Sequence, residues 1–344
     1  MATKMILTGD VNLINVADPA APFSLVEDEF RAADIVFSNL ECCLYRPSGH
    51  SVEHEGFYAD PSVAGEALKS AGIHAVGLAN NVNYGEAAIT ASIARLDEIG
   101  TAHTGAGANR AAARAPVILT RDGIRFGFLQ RSSVYWPTSH EAGENSVGIA
   151  VIRGHTAYHV PLHGGRPPAN RPGIPPEIVT WADPAYLRWL EEDIADLRRR
   201  ADLVIASFHW GLHEQVLHYM TEIAHGAIDA GAGMVIGHGP HFSLPIEMYR
   251  GKPIFYGLGS FSFHTGHGGR RHGDWLGMMV RAIWGRERIE KVAFQFVRHD
   301  DRNRTVPRSL ADEGAAFDRI ARESAGLGAK LVAQGAEVAI DLGT

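Results

Sequence analysis

Cysteine is nearly absent: the 344-residue chain has only Cys42 and Cys43, and they are adjacent. Neighbouring cysteines are poor partners for each other, so a disulfide framework is excluded and free thiols in a reducing compartment are expected. Long apolar runs are also missing. The opening Met1-Ala2-Thr3-Lys4-Met5 leads into no apolar signal core. Neither an export signal nor a membrane anchor is therefore expected, and the cytoplasm is the default location. Positive charge is not in surplus, with 32 Lys and Arg against 39 Asp and Glu and a net charge of −7. That balance argues against a nucleic-acid partner, which needs a basic face. It does not exclude a small anionic substrate, because bound metal ions supply their own local positive charge.

What remains is an ordinary globular composition, 45% hydrophobic, with one outlier. There are 18 histidines, many beside Gly, Trp, Pro or another His rather than spread over helix faces. Short apolar or β-branched runs at 5–8, 35–38, 75–78, 203–208 and 234–236 read as buried strands. Helical patterns at 61–71, 86–99, 186–200 and 223–230 alternate with them, and Gly72 and Gly100 act as stops. Arg121-Asp122-Gly123 marks a hairpin turn between runs at 117–119 and 125–129. Further strands are expected at 254–256, 278–283 and 292–297. Alternation of this kind predicts an α/β layered fold. Residues 131–183 break the rhythm with Pro, Gly, His, Trp and Arg, which predicts a functional lid ordered by Tyr135, Trp136, Tyr158 and Trp181.

The polar residues that could do chemistry fall just after the expected strands. They are Gly9-Asp10-Val11-Asn12, Asn39-Leu40-Glu41, Asn80-Asn81, His209-Trp210-Gly211 and Gly237-His238-Gly239-Pro240-His241. Ligands of open α/β sheets bind at strand carboxyl ends. Each cluster alone is more often a turn or a hydrogen-bonded structural residue. Together they offer oxygen and imidazole donors without thiolate, which suits Mn, Fe or Zn. The donors exceed what one catalytic ion uses, so two divalent ions are expected, roughly 3.5–4 Å apart and able to activate a water between them.

These clusters resemble the CapA family, the poly-γ-glutamate capsule biosynthesis proteins, which are similar to calcineurin-like metallophosphoesterases. Thr104-Gly105-Ala106-Gly107, Ile246-Glu247-Met248-Tyr249 and the run from Pro253 to Phe261 belong to the same resemblance, which extends from Met5 to about Phe263. It implies a four-layer α/β/β/α sandwich. Residues 1–300 would form one domain with an insert or lid at about 131–183, and 301–344 a helical extension packed on it. It also implies that Asp10, Glu41 and His241 hold one ion, and that Glu41, Asn81, His209 and His238 hold the other, with Asn80 competing for the Asn role.

Three departures from the family pattern bear on chemistry. Asn12 stands where metallophosphoesterases carry His, Val82 replaces the His that resembles their proton donor, and His213 precedes Glu214 where the family has Glu. A poor leaving group benefits from proton donation. His213 is therefore the candidate proton shuttle, with His209 beside it as a catalytic candidate. Substrate contacts are expected from Asn80, Arg131, Tyr135, His159, Trp210 and Arg271. His155, His159 and His163 are spaced by four, but Pro161 and Gly164-Gly165 argue against the helix that would align them. The basic loop His264 to His272 would close over an anionic substrate, and Cys42 and Cys43 would be small buried hydrophobes. The expected activity is hydrolysis of a small amide, peptide-like or ester substrate by a metal-bound hydroxide. Self-association is left open. The alternatives are a phosphoesterase and a non-catalytic accessory protein of capsule biosynthesis.

Overall fold

The computed structural model describes residues 2–48, 57–160, 173, 175–263 and 275–343. Two sheets dominate. The larger has ten strands, with Thr3–Asn12, Ile35–Leu40, Ala75–Gly77 and Ala102–Thr104 running parallel along one half. Gly277–Trp284, Ile289–His299 and Glu337–Asp341 extend it with antiparallel pairs. The smaller has six strands, and Ile124–Ser132, Leu203–His209, Met234–His238 and Lys252–Phe255 are its parallel centre.

The cores show why these runs fold as they do. Met5, Leu7 and Phe37 of one sheet meet Phe126, Phe128, Ile205, Met234 and Ile236 of the other in one apolar layer. The rings of Phe37 and Phe128 stack there at 5.0 Å. On the outer face of the larger sheet, Ile6, Val36 and Leu40 pack with Leu68, Ile89 and Leu96 of helices Pro61–Ser70 and Glu86–Ile99. Helices Pro184–Arg200 and His218–Asp229 cover the other sheet through Leu190, Ile194, Leu197, Ile223 and Ala227. The mixed α/β order is thus helices, sheet, sheet, helices. Strands buried on both faces read as unbroken apolar runs, as Ile35–Leu40 does. Asp60 and Asp183 each precede a proline and accept two backbone N–H groups, which sets the helix starts.

Two stretches differ from the reading of the sequence. Most of 131–153 is not a separate lid: Arg131, Ser132, His140 and Gly148 to Ile152 are buried in the body. Among the described residues the hairpin Gly154–His159 with Glu177–Ala182 exposes Tyr158, Ile178 and Val179, while its base is tied to helix His218–Asp229 through buried Thr180 and Ala182. The tail carries helix Gly314–Gly326, but it also adds strands Thr305–Pro307, Lys330–Gln334 and Glu337–Asp341 to the larger sheet. Among the described residues no helix is long and apolar enough to cross a membrane.

Candidate metal centre

Parallel strands send their carboxyl ends to one side, and both sheets do so toward the same place. Asp10 lies at a register shift in Thr3–Asn12, where bulging re-aims a side chain. Glu41 follows Ile35–Leu40, and His209 and His238 end neighbouring strands directly paired with each other. His241 reaches the same spot by a turn, since Gly239 has φ +102 and His241 itself is left-handed at φ 64. A Cβ on Gly239 would lie 2.8 Å from the carbonyl oxygen of Trp210, so only glycine fits there.

The donors converge closely. Asp10 Oδ2 is 3.3 Å from His241 Nδ1, and Asp10 Oδ1 is 3.5 Å from His238 Nδ1. Glu41 Oε1 is 3.6 Å from His209 Nε2 and 3.7 Å from His241 Nε2. One ligand atom each from Asp10, Glu41 and His241 lies within 4.8 Å of the others. Burial opposes ionisation of Asp10, yet hydrogen bonds and charge from His238 and His241 hold its carboxyl below the usual range. Burial and then the Asp10 charge push Glu41 well up. Burial alone brings His209 down to about 4, and it also outweighs Asp10 in lowering His238. For His241 burial acts downward, but Glu41 and Asp10 overcome it and raise the value.

The residues fit divalent ions. His238 Nε2 and His209 Nε2 are buried without a hydrogen-bond partner, an arrangement that is costly unless something else satisfies them. Carboxylate and neutral imidazole are the ligand types that Mn, Fe and Zn accept. The thiols are not ligands in waiting: burial pushes Cys42 and Cys43 up to about 12, and both are core residues.

Of the residues singled out from sequence, Asp10, Glu41, His209, His238 and His241 come together. Asn81 is half-buried, and its backbone oxygen accepts from Trp136 Nε1 at 2.8 Å. Its competitor Asn80 is committed elsewhere. The Asn80 Oδ1 accepts from the backbone of Val82 and Asn83, and Nδ2 donates to Asn39 Oδ1 and the Leu40 carbonyl. Neither a ligand nor a substrate role is left for that amide.

Arg131 also departs from expectation. Alternation along its strand turns it away from the centre, and its buried guanidinium donates to Asp193 at 2.6 Å on helix Pro184–Arg200. Trp210 is core, stacked on Phe208 and donating to the Tyr256 carbonyl. His213 is exposed in a left-handed turn, and among the described residues no hydrogen bond or ion pair joins it to the cluster. His159 is exposed on the hairpin, 3.5 Å from Glu177, and His155 pairs with Asp183. Their strand would space them by roughly 13 Å, too far to share an ion. Tyr135 is half-buried against the core beneath helices Pro61–Ser70 and Glu86–Ile99. Arg271, His163 and the loop from His264 to His272 lie outside the described residues.

Several supporting residues carried no assigned role in the sequence reading. Asn39 donates to Asp10 Oδ1 at 2.8 Å, and Ser132 Oγ lies 3.4 Å from His209 Nδ1. Trp275 stacks on His241 with ring centres 4.3 Å apart. His140 is buried, accepts from the Trp136 N–H and contacts the Asn83 carbonyl, which ties the loop around Asn81 to the following segment. The polar character of Asn39 and Gln130 within apolar strands was the available signal.

Face-to-face sheets between helices, with acid and imidazole groups at their strand ends, define a layered α/β protein with a candidate metal centre. The fold is similar to a crystal structure described as a novel phosphatase of Mycoplasma pneumoniae, over 86% of this chain and 93% of that one, with TM-score 0.51 and 13% identity. Residues 4–265 match the model of the bacterial capsule synthesis protein PGA_cap, and the chain belongs to that family. It is 29% identical over 307 residues to an uncharacterised protein of Sinorhizobium fredii, covering 75% of this chain and 66% of that one. A probable polyglutamine synthesis accessory protein of Mycobacterium tuberculosis is 32% identical over 200 residues, 56% of this chain and 46% of its own. The PGA biosynthesis protein CapA of Bacillus subtilis is 36% identical over 99 residues, 28% and 24% of the two chains. The chain thus spans less than two thirds of the length of these relatives.

Proposed function

We propose that this protein is a divalent-metal-dependent hydrolase with two ions, acting on a small amide, peptide-like or ester substrate. The observation that carries the reading is the convergence of buried Asp10 and Glu41 and half-buried His241 with the unpartnered Nε2 atoms of His238 and His209. Asp10, Glu41, Asn81, His209, His238 and His241 would hold the ions. When bound, such ions make water a nucleophile at neutral pH and stabilise charge developing on a substrate oxygen. The chain's own groups prepare the site for this. Burial keeps His209 and His238 neutral, with lone pairs available, and Trp275 and Ser260 fix the His241 ring.

Two observations support an amide or ester over a phosphoester. Val82 is an apolar, fully buried side chain where phosphoesterases of this type resemble one another in having an imidazole acid, and the exposed His213 is not joined to the cluster. Relatives are also named for PGA and polyglutamine synthesis, which is peptide-like chemistry. The word accessory in one of those names supports a second reading, a non-catalytic role in such synthesis.

The test is metal quantification on purified protein, followed by turnover of amide, ester and phosphoester panels with Mn, Fe and Zn. Wild type should bind metal and cleave an amide or ester, and His238→Ala should lose at least about tenfold in metal affinity. Wild type that binds metal but turns over nothing supports the accessory reading, and efficient phosphoester cleavage alone rejects the substrate class proposed here.

A further inference from the structure

Gln130 is polar where packing alone would place an apolar residue. Along Ile124–Ser132 alternate side chains face the opposing sheet, and Phe126 and Phe128 fill the shared core. Gln130 comes next on that face and is fully buried. Its Oε1 accepts the backbone N–H of Ala79 at 2.7 Å, and its Nε2 donates to Asn39 Oδ1 at 2.9 Å and to Ser207 Oγ at 3.3 Å. Glycine makes room for it, since a Cβ on Gly77 would lie 2.3 Å from the Gln130 amide.

The consequence lies one residue further on. Asn39 Oδ1 receives two donors, Gln130 Nε2 and Asn80 Nδ2 at 3.2 Å. An amide whose oxygen is held this way must turn its NH₂ the other way. That NH₂ donates to Asp10 Oδ1 at 2.8 Å, while Asp10 Oδ2 lies 3.3 Å from His241 Nδ1. Asp10 and Asn39 belong to the ten-stranded sheet, whereas Gln130 belongs to the six-stranded sheet that carries His209 and His238.

We propose that Gln130 is a positioning residue for the metal centre, orienting the Asp10 carboxylate through Asn39 and linking the two sheets that carry the ligands. The inference rests on the metal-binding reading above. Partners of this kind around metal sites typically contribute 10–100-fold in affinity.

The experiment compares wild type, Gln130→Met, Gln130→Glu, Ser207→Ala, Asn39→Ala and the Gln130→Met/Asn39→Ala pair. Mn²⁺ affinity is measured by calorimetry, the visible spectrum is recorded with Co²⁺, and folding is followed by circular dichroism and thermal unfolding. Gln130→Met should weaken Mn²⁺ binding by about 10–100-fold and change the Co²⁺ spectrum. Ser207→Ala, which loses only the longest bond of the amide, should match wild type in both. In the Asn39→Ala background Gln130→Met should cost nothing further, because the two act in series. Gln130→Glu keeps the packing and the acceptor for Ala79, and at a pH high enough to ionise it sets a carboxylate oxygen against Asn39 Oδ1, so the same loss is expected there. Unchanged affinity in either folded Gln130 variant, additive losses in the pair, or failure of both Gln130 variants to fold overturns the inference alone. Wild type that takes up neither ion overturns the metal reading and this inference with it.

Discussion

Burial sets the protonation of individual residues at the centre. His209 is brought from 6.5 down to about 4 by desolvation. A histidine whose folded value is lowered stabilises the fold fully above its ordinary value, and that contribution is lost as pH falls through the lowered one. The window for His209 therefore runs from 6.5 down to about 4. Glu41 and His241 are raised and act with the opposite sign, stabilising at low pH and losing that effect as pH rises. A comparison of variants separates the two. In chelator-treated protein, His209→Gln should reduce the loss of unfolding free energy between about pH 7 and about pH 4.5 by about 2 kcal/mol. Urea titrations at each pH read this out, and parallel curves for both proteins would refute it. The sequence made Asp10, Glu41, His209, His238 and His241 legible because their types are rare at buried strand ends unless something binds them. It misplaced Arg131, Asn80 and Trp210 because a side chain's partner in space is not written beside it.

At the scale of the element, close backbone approach decides the geometry. The Asp10 N–H donates to the Gly259 carbonyl at 2.9 Å, and a Cβ on Gly9 would lie 1.9 Å from that oxygen. Both partners are backbone, so nothing can swing aside. Gly9→Ala should cost roughly 3 kcal/mol or more in stability and weaken metal binding by displacing Asp10. Chemical denaturation and calorimetry measure the two, and a variant with wild-type values for both would remove the steric argument. The central strands and covering helices were legible from apolar runs and from the Asp60-Pro61 and Asp183-Pro184 starts. The path of 131–153 was not. Its buried Ser132, His140 and Gly148 to Ile152 are interspersed with polar residues whose satisfaction comes from distant chain.

For the whole molecule, the centre joins strands from both sheets, so occupancy should be felt globally. Ligands that bind only the folded state add about 2.7 kcal/mol at a hundredfold excess over Kd. Removal of metal with a chelator should lower Tm, and Mn²⁺ or Zn²⁺ should restore it in wild type but far less in Asp10→Asn, as followed by calorimetry. Equal restoration in both would place the ions elsewhere. The layered α/β architecture and the chemical type of the centre were determined by the sequence itself, through runs buried on both faces and donors at their ends. Tertiary structure alone decided which donors meet, that Asn80 is spent on its own turn and the neighbouring strand, and that Gln130 of one sheet meets Asn39 of the other, which donates to Asp10. Strand period tells which face a side chain takes. Only the stacking of one sheet on the other determines what it finds there.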